Sequence, residues 1–322
     1  MPKLYAETNL QYKSSKLSRK NKRLIFYILM LALPLIQFCI FYIYVNFNSI
    51  AMAFMSYKNM KGDGATFVGF KNFLTVFDII KEKPHLLTNS LILAFFMLGV
   101  AMPLAILFSY YIYKKRFLHG FYRVVLFLPQ IVSGVVFAII VGLIFGAIAL
   151  KTESNTINAF DGQSLASPGY TRTMLIMFTV WMSFGVNVLL FTGAMNNINP
   201  SLVEAAELDG CNTIHELIHV TIPAIFPTIV SFVIITVSGI FVNQMFLMDF
   251  NTIRSDQYTI GYFMYYQAQN ANNGLATTKG NLNNGIYSYP VLSALSIMIT
   301  VVLLPLTLGI KKLLNKFGPS TR

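Results

Sequence analysis

The stretch His215-Glu216-Leu217-Ile218-His219 has the residue types and spacing of a catalytic metal centre. On a helix, two imidazoles four residues apart share a face and can hold zinc, and the glutamate between them can activate water. Such a centre takes a third ligand from a separate segment. The sequence is poor in them, because His85 and His119 fall between apolar segments. The expectation is two incidental histidines and no metal. Other chemistry is thinner still. No Gly-x-x-x-x-Gly-Lys-Ser/Thr loop is present to cradle phosphates, and the apolar segments lack carboxylate pairs suited to acid–base work. What they do contain is amides and hydroxyls: Ser183 and Asn187, then Thr236, Asn243 and Gln244. An amide in lipid costs free energy unless it is paired or faces a wet cavity. Asn187, Asn243 and Gln244 therefore mark either a polar pathway or hydrogen bonds between helices. The chain is not expected to be an enzyme by itself.

The elements that carry these residues are membrane helices. Of 322 residues, 55% are hydrophobic and 11% charged, too apolar for an ordinary soluble protein. Segments near 24–46, 89–113, 123–149, 171–195, 225–248 and 288–310 reach the roughly 20 residues needed to cross a hydrocarbon core. No Gly/Ser-rich linker or repeat divides them. The expectation is one all-α, six-helix transmembrane domain over 24–310, between a basic tail at 1–23 and a short tail at 311–322. The first segment is too long for a signal peptide and lacks a small-residue cleavage site after Tyr44, so it is read as a retained helix.

Basic residues set the orientation. Lys13, Lys16, Arg19, Lys20, Lys22 and Arg23 precede the first segment, Lys114, Lys115, Arg116 and Arg123 follow the second, and Lys311, Lys312 and Lys316 follow the last. With six spans all three groups share a side, which places both termini in the cytoplasm. Lys58, Lys61, Lys71, Lys81 and Lys83 on the other side weaken this signal without reversing it. The net charge of +12 sits at membrane edges, where it orients helices and meets anionic lipid, and it does not imply nucleic acid. Cys39 and Cys211 lie in different settings and imply no disulfide framework.

One loop breaks the charge pattern. Between Asn196 and Pro223 there is no Lys or Arg, whereas Glu204, Glu207, Asp209 and Glu216 are present. An acidic loop on the basic side calls for a basic partner surface. Ala, Glu and Leu favour helix here, Gly210 permits a sharp turn, and Pro223 marks the start of the next helix. The reading is two short helices meeting at a bend. Glu204-Ala205-Ala206, then Asp209-Gly210, then nine residues and Val220-Thr221-Ile222-Pro223 resemble the EAA loop of bacterial ABC-importer permeases. Val220 and Ile222 stand where that motif has Ile and Leu. The resemblance implies that Glu204, Ala205, Ala206, Asp209, Gly210 and Pro223 belong to a surface, spanning 201–223, that docks on an ATPase. Glu204 would be its polar contact and Gly210 its bend.

Other stretches resemble the carbohydrate-transporter group of these permeases, which includes the larger maltose permease subunit. They are Phe67-Val68-Gly69-Phe70-Lys71-Asn72-Phe73, Arg123 to Pro129, Thr173-Met174 with Trp181, and Ser288-Tyr289 with Ser293-Ala294-Leu295-Ser296. The similarity runs from about residue 24 to 310. It places sugar-contacting positions on Met182, Ser183 and Val186, and on Thr236, Ile240 and Asn243. Ser183, Thr236 and Asn243 keep a polar group, whereas Val186 and Ile240 argue against maltose itself. Phe184, Phe241 and Phe246 could stack on sugar rings or simply pack. The segment 249–288, with Tyr262, Tyr265, Tyr266, Gln267 and Gln269, reads either as a surface for a binding protein or as an interfacial aromatic belt.

The resemblance implies a type I ABC importer permease core in a bacterial cell membrane. Its partners would be a second permease subunit, two ABC ATPase subunits that bind ATP and Mg, an external carbohydrate-binding protein and membrane lipid. No cofactor is implied on this chain. An oligosaccharide is the first solute to consider, with a polyol phosphate or a peptide as alternatives. The competing reading is an intramembrane zinc protease using His215 to His219. Leu208-Asp209-Gly210 is similar to the second signature of that family but lies upstream of the histidines, the reverse of the family's order. Pro223 should also end the helix just beyond His219.

Overall fold

The computed structural model describes residues 19–57, 64–137, 139–140, 170–244, 247, 255–272 and 289–318. The tail before Arg19, the second half of the third expected span, Phe246 and most of 249–288 lie outside these residues.

The chain falls into two units, Met1–Ala51 and Met52–Arg322. The first holds α1 (Arg19–Phe38), which continues through a π-helical stretch, Cys39–Tyr44, into α2 (Val45–Ala53), whose last two residues open the second unit. Asn21–Ala53 is long and apolar enough to cross a membrane. Leu29, Leu33, Phe41 and Phe47 are all exposed, so apolar side chains surround the helix, as expected of a span that meets lipid.

The second unit opens with a short antiparallel hairpin, β1 (Met55–Ser56) and β2 (Thr66–Phe67), in which Met55 pairs with Phe67. The buried Asn72 amide donates to the carbonyls of Ala53 (2.8 Å) and Met55 (2.9 Å), tying α3 (Lys71–Glu82) to the hairpin. Next come α4 (His85–Phe96), a π-helical Met97–Ala101 and α5 (Met102–Tyr113), which form one span, His85–Tyr113. α6 (His119–Ile131) and α7 (Tyr170–Asn196) follow. The loop helices α8 (Pro200–Leu208) and α9 (Thr213–Glu216) lead through a π-helical Leu217–Thr221 into α10 (Ile222–Ser238). α11 (Ile260–Asn272) and α12 (Tyr289–Phe317) complete the described chain.

Apolar burial joins these helices. Ile106 on α5 packs with Val188, Phe191 and Met195 on α7 and with Ile225 and Phe232 on α10. Val76 and Ile79 on α3 pack with Val237, Phe263, Leu292 and Leu295. Polar contacts fix the register, as where the buried Ser109 hydroxyl donates to the Val188 carbonyl at 2.9 Å. Gly185 lets α7 approach α6, because a Cβ there would run into the Leu126 carbonyl.

Five helices among the described residues are long and apolar enough to span: Asn21–Ala53, His85–Tyr113, Leu175–Asn196, Thr213–Ser238 and Tyr289–Lys316. The expected span at 123–149 is not one unbroken helix. α6 ends at Ile131, Val132 is extended (φ −83°, ψ 141°), and helix restarts after Ser133. Pro129 removes a backbone donor from the last turn, and Ser133 suits the N-terminal position of the new segment. Pro223 falls in the first turn of α10, as expected, but no break precedes it: Thr213–Ser238 is continuous, and a widened π turn, Leu217–Thr221, leads into the proline. The span expected at 225–248 stops at Ser238, so Asn243 and Gln244 sit in a non-helical segment rather than within a helix.

Candidate functional site

The loop between α7 and α10 is built by its caps. The Asn199 side chain accepts from Ser201 N at 3.2 Å, and Pro200 occupies the first turn of α8, where a missing N–H costs nothing. At the other end, Cys211 N donates to the Ala206 carbonyl (3.0 Å) and Gly210 N to the Glu207 carbonyl (3.1 Å). This paired pattern is a Schellman cap, which requires a left-handed residue, and Gly210 supplies it at φ +76°. Among the described residues, chain neighbours aside, no atom lies within 4 Å of where a Cβ at Gly210 would be, so the need for glycine there is one of backbone conformation. Ala206 is buried, whereas Glu204, Ala205, Leu208 and Asp209 are exposed. Leu208 is 89% exposed and Ile214 64%, and neither is covered among the described residues.

Lys114, at the end of α5, clamps this loop from below. Its ammonium lies 2.7 Å from Glu216 Oε1 and 3.2 Å from Glu207 Oε1. The Glu216 side chain is only 4% exposed and that of Lys114 17%, so the pair is shielded from water. Burial works against the lysine's charge, but hydrogen bonds to Glu216 and Glu207 outweigh it and hold its pKa above the usual lysine value. Tyr110 adds a second tie by donating to the Thr213 carbonyl at 3.1 Å. Two of the loop's four acids are thus answered within the chain. Glu204 and Asp209 make no ion pair among the described residues and face outward. Sequence reasoning missed the clamp, because Lys114 registered only as a marker of orientation.

The same clamp separates the members of the zinc-like motif. His215 and His219 are exposed with their rings stacked at 4.3 Å, and His219 Nδ1 lies 3.1 Å from the His215 carbonyl. Glu216 is instead buried and paired with the Lys114 ammonium.

A cavity of about 540 Å³ lies among α4, α6, α7 and α10. Ser183, Asn187, Thr236 and Asn243 line it, as do Val186 and Ile240; Gln244 does not, and Met182 does not. Asn187 is 8% exposed, and its Nδ2 finds no hydrogen-bond partner among the described residues. The end of α10 unwinds beside the cavity: Thr259 donates to the Asn243 carbonyl (2.8 Å), and Gly261 brings α11 against the Val242 carbonyl. Irregular backbone inside a membrane protein is tolerated where it lines a cavity. Gln130 and Ser90 also line it. The amide of Gln130 donates to the Met182 carbonyl and joins α6 to α7. It sits in an apolar segment just as Asn187 does, and the same argument could have found it.

The sequence family described as the binding-protein-dependent transport system inner membrane component matches residues 101–322, a stretch that contains both the loop and most of the cavity. The chain belongs to that family. It is a multi-pass bacterial membrane protein and a transport component. The permease is 26% identical over 211 residues to the arabinooligosaccharides transport system permease protein AraP of Bacillus subtilis, an alignment covering 63% of this chain and 65% of AraP. It thus spans a little under two thirds of that relative's length. It is 27% identical to the polygalacturonan/rhamnogalacturonan transport system permease protein YteP of the same organism, over 68% of this chain and 71% of YteP. The fold is similar to a chain in the crystal structure of a bacterial ABC transporter involved in the import of alginate. The TM-score is 0.66 at 21% identity, covering 92% of this chain and 97% of that one.

Proposed function

We propose that the permease is one of two transmembrane subunits of an ATP-driven importer, and that it carries an oligosaccharide delivered by an external binding protein. Six spans and two cytoplasmic termini complete this reading, with the tail at 1–23 and the tail at 311–322 flanking the domain. The observation that carries it is the Schellman-capped loop at 200–223, clamped from inside by Lys114 and outwardly bearing Glu204, Leu208, Asp209 and Ile214. A rigid element with uncovered acidic and apolar side chains suits a partner that pushes on it. Two ABC ATPase subunits would supply that push, binding ATP and Mg themselves, and a second permease subunit would complete the pathway. Closure of the ATPases would then move the loop and switch the cavity between outward and inward access.

The lining of the cavity supports a polyhydroxylated solute. Ser183, Asn187, Thr236 and Asn243 supply amides and hydroxyls beside apolar Val186 and Ile240, and none of the lining residues is charged. Phosphate recognition calls for cations or clustered backbone amides, so a polyol phosphate fits this lining less well. The test is uptake of labelled solutes by cells with and without this chain. Loss of ATP-dependent uptake confined to oligosaccharides is the expected result. Loss confined to glycerol phosphate or peptides would overturn the choice of substrate.

A further inference from the structure

α3 presents three different sectors. Asn72, Val76 and Ile79 are buried toward α12 and its neighbours. At 3.6 residues per turn, Phe70, Leu74, Phe77 and Lys81 form a second stripe nearly opposite that buried side. Phe70 is 71% exposed, Leu74 63% and Phe77 53%, and Phe67 of the adjoining hairpin is 77% exposed. The third sector carries Lys71, Asp78 and Glu82, also exposed. A helix beside water alone has no reason to show an exposed apolar stripe of this length. The stripe is also held in place. Phe70 meets Phe54 edge-to-face at 5.5 Å and Phe73 at 5.6 Å, while Asn72 pins the helix start to the hairpin.

Its level in the bilayer follows from the chain. α3 runs through Lys83-Pro84 directly into α4, where the span His85–Tyr113 begins, and its buried side packs against Val291, Leu292 and Leu295 at the start of the last span. Lys114 stands at the other end of His85–Tyr113. α3 therefore lies where two spans enter the hydrocarbon, on the side of the membrane opposite the 200–223 loop. Leu91 and Phe95, in the half of His85–Tyr113 nearer α3, are exposed as well.

We infer that α3 is an interfacial anchor, with Phe70, Leu74 and Phe77 inserted in the lipid of that leaflet and Lys81 reaching toward the headgroups. Such a helix lies in the plane of the membrane with its apolar side about 5–10 Å into the headgroup–acyl boundary. Its charged sector then faces water, and lysine at the rim keeps its ammonium at the phosphate level. This contact holds the hairpin and the outer ends of two spans at a fixed depth. It depends on membrane insertion and not on what is transported.

The test uses the full chain in lipid nanodiscs. The single tryptophan, Trp181, is changed to Phe, and a new one is introduced as Phe70→Trp, Leu74→Trp or, as a water-facing control, Asp78→Trp. Lipids brominated near the headgroup end of the acyl chain should quench Phe70→Trp and Leu74→Trp about twofold, more than lipids brominated at the chain terminus do. Asp78→Trp should be quenched by aqueous iodide instead. Two stripe positions guard against one variant failing to fold, which gel filtration would reveal. Stripe tryptophans open to iodide and untouched by brominated lipid would place the stripe in water and overturn the inference. Protection from both quenchers would overturn it as well, because a protein partner would then cover the stripe.

Discussion

At the scale of single residues, Lys114 and Asn187 do most to join the loop and the cavity to the helices around them. Removing one member of a buried ion pair leaves the other charge stranded, which costs far more than the pair contributes. Lys114→Met should therefore destabilise the permease by about 3 kcal/mol, read from thermal unfolding in detergent. Lys114→Met combined with Glu216→Leu should recover most of that loss, and the cycle reports the coupling. Equal destabilisation in the single and double variants would show that the clamp is not an ion pair in energetic terms. Asn187 makes the opposite case. Its Nδ2 is already unpartnered, so Asn187→Leu should leave stability nearly unchanged while raising the KM of transport. A sharp loss of stability with unchanged KM would make Asn187 an interhelical bond instead. Asn187 could be singled out in the sequence, because any amide in an apolar run needs an explanation. Lys114 could not, because its partners lie 93 residues or more along the chain and the charge pattern alone gave it a different role.

At the scale of elements, the helices were legible and their interruptions were not. Hydropathy located the spans beginning near residues 24, 89 and 171, since a long apolar run needs only to be counted. The prolines were legible in part. Pro223 read as a helix start and does lie in the first turn of α10, yet a π turn carries the preceding helix into it without a break, and a π turn likewise precedes Pro103. Where the third span was expected to run unbroken, Val132 is extended; a backbone break set by tertiary packing leaves little trace in hydropathy. Glycines divide the same way. Gly210 was legible as a bend and proves to be a left-handed cap. Gly210→Val should cost about 1–2 kcal/mol locally through its positive φ and weaken ATPase association, whereas Gly210→Asn, which tolerates that region, should retain it. A pull-down comparing the two variants distinguishes backbone conformation from side-chain bulk. Gly185 required the structure. Gly185→Ala should push α7 off Leu126 and lower stability by roughly 1–3 kcal/mol, again by thermal unfolding.

For the whole molecule, the arrangement links two distant features through one span. His85–Tyr113 lines the cavity with Ser90, Leu93 and Met97 and ends at Lys114 under the loop. The span Thr213–Ser238 does the same from the other side, with Glu216 at one end and Thr236 at the cavity. On the proposed function, a push on Leu208 or Glu204 would bear on both walls of the cavity at once through the clamp. The central claim is that the 200–223 loop is the seat of an ATPase. Its most direct test is purification of the chain from its own cells in mild detergent, with identification of what stays bound. The account predicts a P-loop ATPase and a second multi-span permease in the complex, and loss of the ATPase alone when Leu208 and Glu204 are replaced by Arg. A chain that emerges alone, carrying one tightly held zinc that disappears with His215→Ala, would contradict it.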